Sequence, residues 1–169
     1  MSTPGAGSPG PSRDLRGAKH RPRRIRMIAH YLVHDGGPSR KGRGLDVVDT
    51  PQAAMPFLSQ FADRDREHLI AIFLNARNQL IGLDVVSVGT MTASLVHPRE
   101  VFKGAILMNA AALILAHNHP SGDHLPSPED RESTRRMANA GELLGIKLHD
   151  HIILSPGGGF YSFKTEGRL

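Results

Sequence analysis

The 169-residue chain contains no cysteine. That absence removes disulfides, a thiol nucleophile and every thiolate metal site. Any transition-metal site must therefore be built from histidine and carboxylate. It leaves the compartment open, because a missing disulfide says little about redox environment. Long apolar runs are also lacking. The longest, residues 110–116, falls well short of the roughly 18 residues that span a bilayer. The stretch 25–33 follows Arg23 and Arg24 but is broken by Arg26 and His30, so it does not form a signal-peptide core. The Arg-rich start has a transit-peptide flavour, which its Gly and Pro oppose. The expectation is a cytoplasmic protein with no membrane segment. Apolar residues make up 39%, enough for one modest core plus a tail.

The net charge of +5 is unevenly placed. Residues 1–44 hold 10 of the 21 Lys and Arg and 2 of the 16 Asp and Glu, a local charge of +8; residues 45–169 carry −3. The basic character belongs to the tail, so the folded part loses the main argument for a nucleic-acid-binding surface. Residues 1–24 are Gly, Ser, Pro and Arg with little to bury, a composition that predicts disorder. Residues 25–32 allow one short helix, and 34–44 read as a linker. We therefore divide the chain into a basic tail and linker, 1–44, and a domain, 45–169.

Within the domain, Thr50-Pro51 reads as a helix N-cap and first position, with Pro56 expected to bend or shorten that helix. Residues 68–74 and 80–88 are apolar, β-branched runs around a turn, the pattern of a hairpin. Pro98 opens a helix to about Asn109, and residues 111–116 form a buried strand. A helix over 128–144 is closed by Gly145. Strands are expected at 147–154 and 160–163. The mixture predicts an α/β or α+β fold with a sheet of mixed direction.

The chemistry concentrates in residues 116–130, AHNHPSGDHLPSPED. If the strand continues through them, His117 and His119 point to one face. After a Pro-Ser-Gly turn, Asp130 enters the first turn of the next helix. Two histidines and one carboxylate leave a fourth position open, the composition of a catalytic zinc site. Plainer readings compete. Ten histidines in this length produce about 0.6 His-x-His pairs by chance, and His149 with His151 makes a second pair. Ser127 and Asp130 also fit a capping box. The conjunction of all these features, at these spacings, favours the metal.

His117-x-His119, seven residues, Ser127, two residues and Asp130 resembles the JAMM motif of the JAB/MPN metallopeptidase family. The closer resemblance is to the RadC branch, through residues 98–123, 126–130, 150–154 and 161–163. It covers nearly all of 45–169. It implies a curved mixed β-sheet flanked by helices, with a cytidine deaminase-like architecture. It implies one Zn2+ per chain, held by His117, His119 and Asp130, and a hydrolase of metallopeptidase or isopeptidase type using a zinc-bound water on a peptide or protein substrate. Glu67 occupies the place of the family's general acid/base. From the residues alone, it is a carboxylate at the start of an apolar strand, inside an acidic run with Asp63 and Asp65. Ser127 would hydrogen-bond the developing oxyanion.

Asp150 and His151 match the family as supporting groups rather than ligands. His149 and His124 read as surface or loop histidines. Asn118 and Ser121 read as turn chemistry, and Arg99 as an exposed or structural ion pair. Longer RadC-type proteins carry a helical DNA-binding region ahead of the domain. The 44 residues ahead of it here lack that character, so the family's DNA-repair association is not expected to find a supporting domain in them. The basic tail is expected to make at most weak, non-specific nucleic-acid contacts. Two alternatives stay open: a DNA-repair-associated or nuclease-type metal-dependent factor, and a non-catalytic MPN scaffold. The oligomeric state is not encoded in any feature of the sequence.

Overall fold

A computed structural model describes residues 45–89 and 96–169. The tail, the short helix expected at 25–32 and the linker lie outside the described residues. Among these residues, the elements in chain order are α1 (Pro51–Leu58), β1 (His68–Leu74), β2 (Leu80–Val88), α2 (Pro98–Leu107), β3 (Ala112–Asn118), α3 (Pro128–Leu144), β4 (Lys147–Leu154) and β5 (Phe160–Ser162). The strands form one open sheet in the order β2-β1-β3-β4-β5. Only β3 and β4 run parallel; the other neighbours are antiparallel. This is the mixed α/β architecture expected of a JAB/MPN-like domain.

Local chemistry sets the element ends. Thr50 Oγ1 accepts the Ala53 N–H at 3.2 Å and caps α1. Pro56 lies inside that helix, which ends after eight residues and passes into a 3₁₀ turn over Ser59–Phe61. Asn75 Oδ1 shapes the hairpin turn by accepting the Arg77 and Gln79 N–H groups at 2.9 and 3.0 Å. Helix α2 stops at Leu107, two residues before the expected end, where the chain passes through Asn109 at φ 52°. Helix α3 starts at the Ser127 capping box and ends at Gly145, whose φ of 68° suits a residue without Cβ.

Alternation along the strands splits the core in two. Even-numbered residues of β1 and β3, such as Ile70, Ile72 and Ile114, pack against α1 through Ala54 and Leu58. Odd-numbered residues, such as Leu69, Phe73, Leu113 and Leu115, pack against α2 and α3 through Phe102 and Met137. The parity decides the site: His117 is odd, so it faces the α2/α3 layer. Among the described residues, no helix is long and apolar enough to cross a membrane.

Candidate metal centre

Strand β3 runs two residues beyond the expected Ala116, to Asn118. His117 therefore lies in the strand and is fully buried. The His119 N–H donates to the Leu154 carbonyl at 2.9 Å, which extends the pairing with β4 and pins the second histidine. The two side chains emerge on one face. Their Nε2 atoms are 3.0 Å apart. Asp130, at the start of α3, brings Oδ1 to 3.2 Å from His117 Nε2 and Oδ2 to 3.4 Å from His119 Nε2. These are the three sequence-predicted ligands, and they form a group that could hold a metal ion.

The spacing fits a tetrahedral ion. Bonds of about 2.0–2.1 Å imply ligand–ligand edges of about 3.3–3.4 Å, and the three edges here lie within about 0.4 Å of that. The donor set, two imidazoles and one carboxylate, suits zinc. Its electrostatics suit a cation. Burial alone would raise the Asp130 carboxyl, but the His117, His119 and Ser127 contacts outweigh it and hold the group well below the usual carboxylate range. The Asp130 carboxylate in turn raises His119, against the effect of burial.

Ser127 is committed to Asp130. Its hydroxyl donates to Asp130 Oδ2 at 2.6 Å and accepts the Asp130 N–H at 3.0 Å, while its own N–H donates to Oδ2 at 2.8 Å. The capping box and the candidate metal ligand share the same carboxylate.

Glu67 stands immediately before β1. Leu69 pairs with His117 across the antiparallel β1–β3 ladder. Glu67 precedes that pair by two residues on one chain segment, as His119 follows it by two on the other. Its charge acts on His119. The Glu67 carbonyl accepts the Gly89 N–H at 2.9 Å. The half-buried residue lines a cleft of about 530 Å³ with Asp65, Arg66, Gly89, Pro120 and Ser121.

Asn118 corrects the expectation of turn chemistry. Fully buried between the two histidines in sequence, it points to the opposite face and reaches across to the segment that carries Glu67. Its Oδ1 accepts the His68 N–H at 2.8 Å, and its Nδ2 donates to the Arg66 and Arg64 carbonyls at 3.0 and 3.2 Å. An amide with a donor and an acceptor is suited to bridging strands, yet a side chain 50 residues from its partners leaves no local signal.

His151 sits behind His117, with His151 Nε2 2.9 Å from His117 Nδ1. Burial first, then the neighbouring His117, pushes His151 down to about 3, so its ring is neutral. Asp150 accepts from Ser162 Oγ at 2.7 Å and from the His151 and Lys164 N–H groups at 2.7 and 3.0 Å, which ties β4 to the chain after β5. Burial raises its carboxyl. Neither is placed as a ligand. His149 lies 2.9 Å from Lys164 Nζ, and His124 packs near Gly159. Arg99 is exposed and pairs with Glu100 at 3.0 Å, as expected.

An open mixed sheet with two strand-end histidines and a helix-start aspartate defines a JAB-type domain. Residues 48–168 match the model of the RadC-like JAB domain, and the chain belongs to that family. It is 53% identical over 120 residues to a UPF0758 protein of Symbiobacterium thermophilum, covering 70% of this chain and 51% of the relative. It is 50% identical over 129 residues to one from Desulforudis audaxviator (76% and 56% covered) and 48% over 127 residues to one from Rubrobacter xylanophilus (75% and 55%). The chain spans about half the length of these curated relatives.

Proposed function

We propose that this domain is a zinc hydrolase of metallopeptidase or isopeptidase type, acting on an amide bond in a peptide or protein. The observation that carries the reading is the triangle of His117, His119 and Asp130 ligand atoms, with edges of 3.0–3.4 Å, near enough to Glu67 for its charge to act on His119. His117, His119 and Asp130 would hold the zinc. Zinc bound there supplies Lewis acidity and brings the pKa of water near 7. Glu67 takes a proton from the attacking water and delivers it to the leaving amine, a positioned transfer worth roughly 10²–10⁴ in rate. The cleft beside Glu67 receives the scissile segment. Ser127 orients Asp130; its hydroxyl serves an oxyanion only by leaving that carboxylate.

The test compares wild type with Glu67→Gln for metal content and for cleavage of peptide, isopeptide-linked and DNA substrates. The expected result is one zinc per chain in both proteins and amide cleavage by wild type alone. Metal-dependent DNA cleavage without amide cleavage would replace this reading with the nuclease alternative. Zinc-free wild type would end the hydrolase assignment.

A further inference from the structure

Which nitrogen of His117 carries the proton can be traced bond by bond, starting from Thr134. A hydroxyl has one proton to give. Thr134 Oγ1 lies 2.6 Å from the Asp130 carbonyl, which can only accept, so the proton goes there. The same oxygen lies 2.6 Å from His151 Nδ1. It must accept at that contact, and His151 therefore carries N–H at Nδ1. The His151 ring is fully buried. It stacks on Phe163, with ring centroids 5.2 Å apart and planes 11° from parallel. No carboxylate makes a hydrogen bond to it among the described residues. A neutral ring protonated at Nδ1 has a bare Nε2. That Nε2 accepts from His117 Nδ1–H at 2.9 Å. His117 Nε2 is then bare and aimed at His119 and Asp130.

We infer that Thr134 and His151 act as positioning residues: their hydrogen-bond chain from the Asp130 carbonyl to His117 Nδ1 fixes the His117 tautomer and keeps its Nε2 lone pair directed at the metal site. The inference rests on the metal reading for its purpose, not for its geometry. His119 reaches the same state by a separate device, donating Nδ1–H to the Asp123 carbonyl at 2.6 Å. The two devices differ in security. A carbonyl can only accept, so the His119 tautomer has a single solution. An imidazole can accept or donate, so His151 enforces the His117 tautomer only while Thr134 holds its other nitrogen. Without the threonine hydroxyl, a His151 ring protonated at Nε2 would donate to His117 Nδ1. The His117 proton would then sit on Nε2, where it blocks the metal. The chain also closes on itself, because the carbonyl that anchors it belongs to the third ligand.

The experiment has two readouts. Long-range proton–nitrogen NMR of the imidazoles in the metal-free, full-length protein at pH 8 identifies each tautomer. Nδ1–H on both His117 and His151 is expected in wild type. Nε2–H on His117 would overturn the inference whether or not the protein binds metal. The second readout is zinc affinity, measured by competition with a chelator. Thr134→Val and His151→Phe are each expected to weaken zinc by roughly 10–100-fold, the usual effect of losing such a partner. Thr134→Ser and His151→Gln, which restore the hydroxyl and an acceptor, are expected to recover most of it. Unchanged affinity in both Thr134→Val and His151→Phe would also overturn it. If a variant fails to fold, the wild-type tautomers still decide. A wild type that shows the expected tautomers but binds no zinc would sink the metal reading and leave the hydrogen-bond chain standing.

Discussion

Replacing Asn118 by alanine probes the link between the metal-ligand strand and the segment that carries Glu67. The side chain is fully buried and makes three hydrogen bonds, all to main-chain atoms of residues 64–68. A typical bond contributes about 0.5–1.5 kcal/mol net, and a buried donor left unpaired costs about 1–3 kcal/mol. The Arg64 and Arg66 residues are exposed, so their carbonyls can turn to water. The His68 N–H, half-buried, is less able to. Asn118→Ala should therefore cost roughly 2–4 kcal/mol. Urea unfolding of the metal-free protein, with a slope of about 1–3 kcal/mol/M, should show a midpoint lowered by about 1–2 M. Zinc stoichiometry should be retained, because Asn118 offers no ligand atom to the site. Cleavage of any true substrate should fall by up to about 100-fold, the cost of misplacing a catalytic group by about 1 Å. A stability change under about 0.5 kcal/mol would show that the amide is not a clamp and refute the reasoning.

Two further outcomes follow from the site. Zinc at 100 times its dissociation constant should add about 2.7 kcal/mol and raise the melting temperature by several degrees, with no rise in His117→Ala; calorimetry with and without chelator reads both. His151 lies at about 3 in the folded chain because burial disfavours its charge, against about 6.5 unfolded. The unfolded chain thus binds the extra proton, so this contribution is complete above about pH 6.5 and is lost as pH falls toward 3, at up to about 1.4 kcal/mol per unit. Chemical denaturation of metal-free protein at pH 7, 6, 5 and 4 should show this slope in the difference between wild type and His151→Phe, and equal slopes would refute it.

What could be read from the sequence was what periodicity and punctuation encode. Pro98, Pro128 and Gly145 mark helix ends because their backbone limits are local. The β1–β2 hairpin was legible because two apolar, β-branched runs flank a short polar turn. The cluster of His117, His119 and Asp130 was legible because strand parity and helix-start chemistry act within fifteen residues. Strand order was not, since nothing local tells β1 to sit between β2 and β3. That order gives the long-range contacts their meaning. Leu69 pairs with His117, which brings the segment just before β1 beside the end of β3, and Asn118 reaches back 50 residues. Thr134 carried a usable signal. It follows Asp130 by four on α3 and so shares its face. His151 pairs with Leu115 on β4, which puts it on the face of His117, but only once β3 and β4 are known to be neighbours.

The capping reading of Asp130 and its ligand reading are not rivals, and a pair of substitutions separates them. One oxygen, Oδ2, takes both Ser127 donors, while Oδ1 stands 3.2 Å from His117 Nε2. The positive end of α3 favours the anion at this position, so the chemistry that starts the helix also holds a negative charge where a cation is needed. Asp130→Asn keeps one oxygen for Ser127 and turns an amide N–H toward the bare His117 Nε2. The helix start survives, the charge is gone, and a donor occupies a ligand position. Metal-free stability should stay within about 1 kcal/mol of wild type, while zinc affinity drops roughly 100-fold or more. Asp130→Ala removes the cap as well and should cost about 1–2 kcal/mol in addition to the metal. Denaturation and chelator competition on both variants measure the two effects separately. If Asp130→Asn bound zinc within about threefold of wild type, the carboxylate would be a helix cap and nothing more, since no neutral amide replaces an ionised ligand at so small a loss.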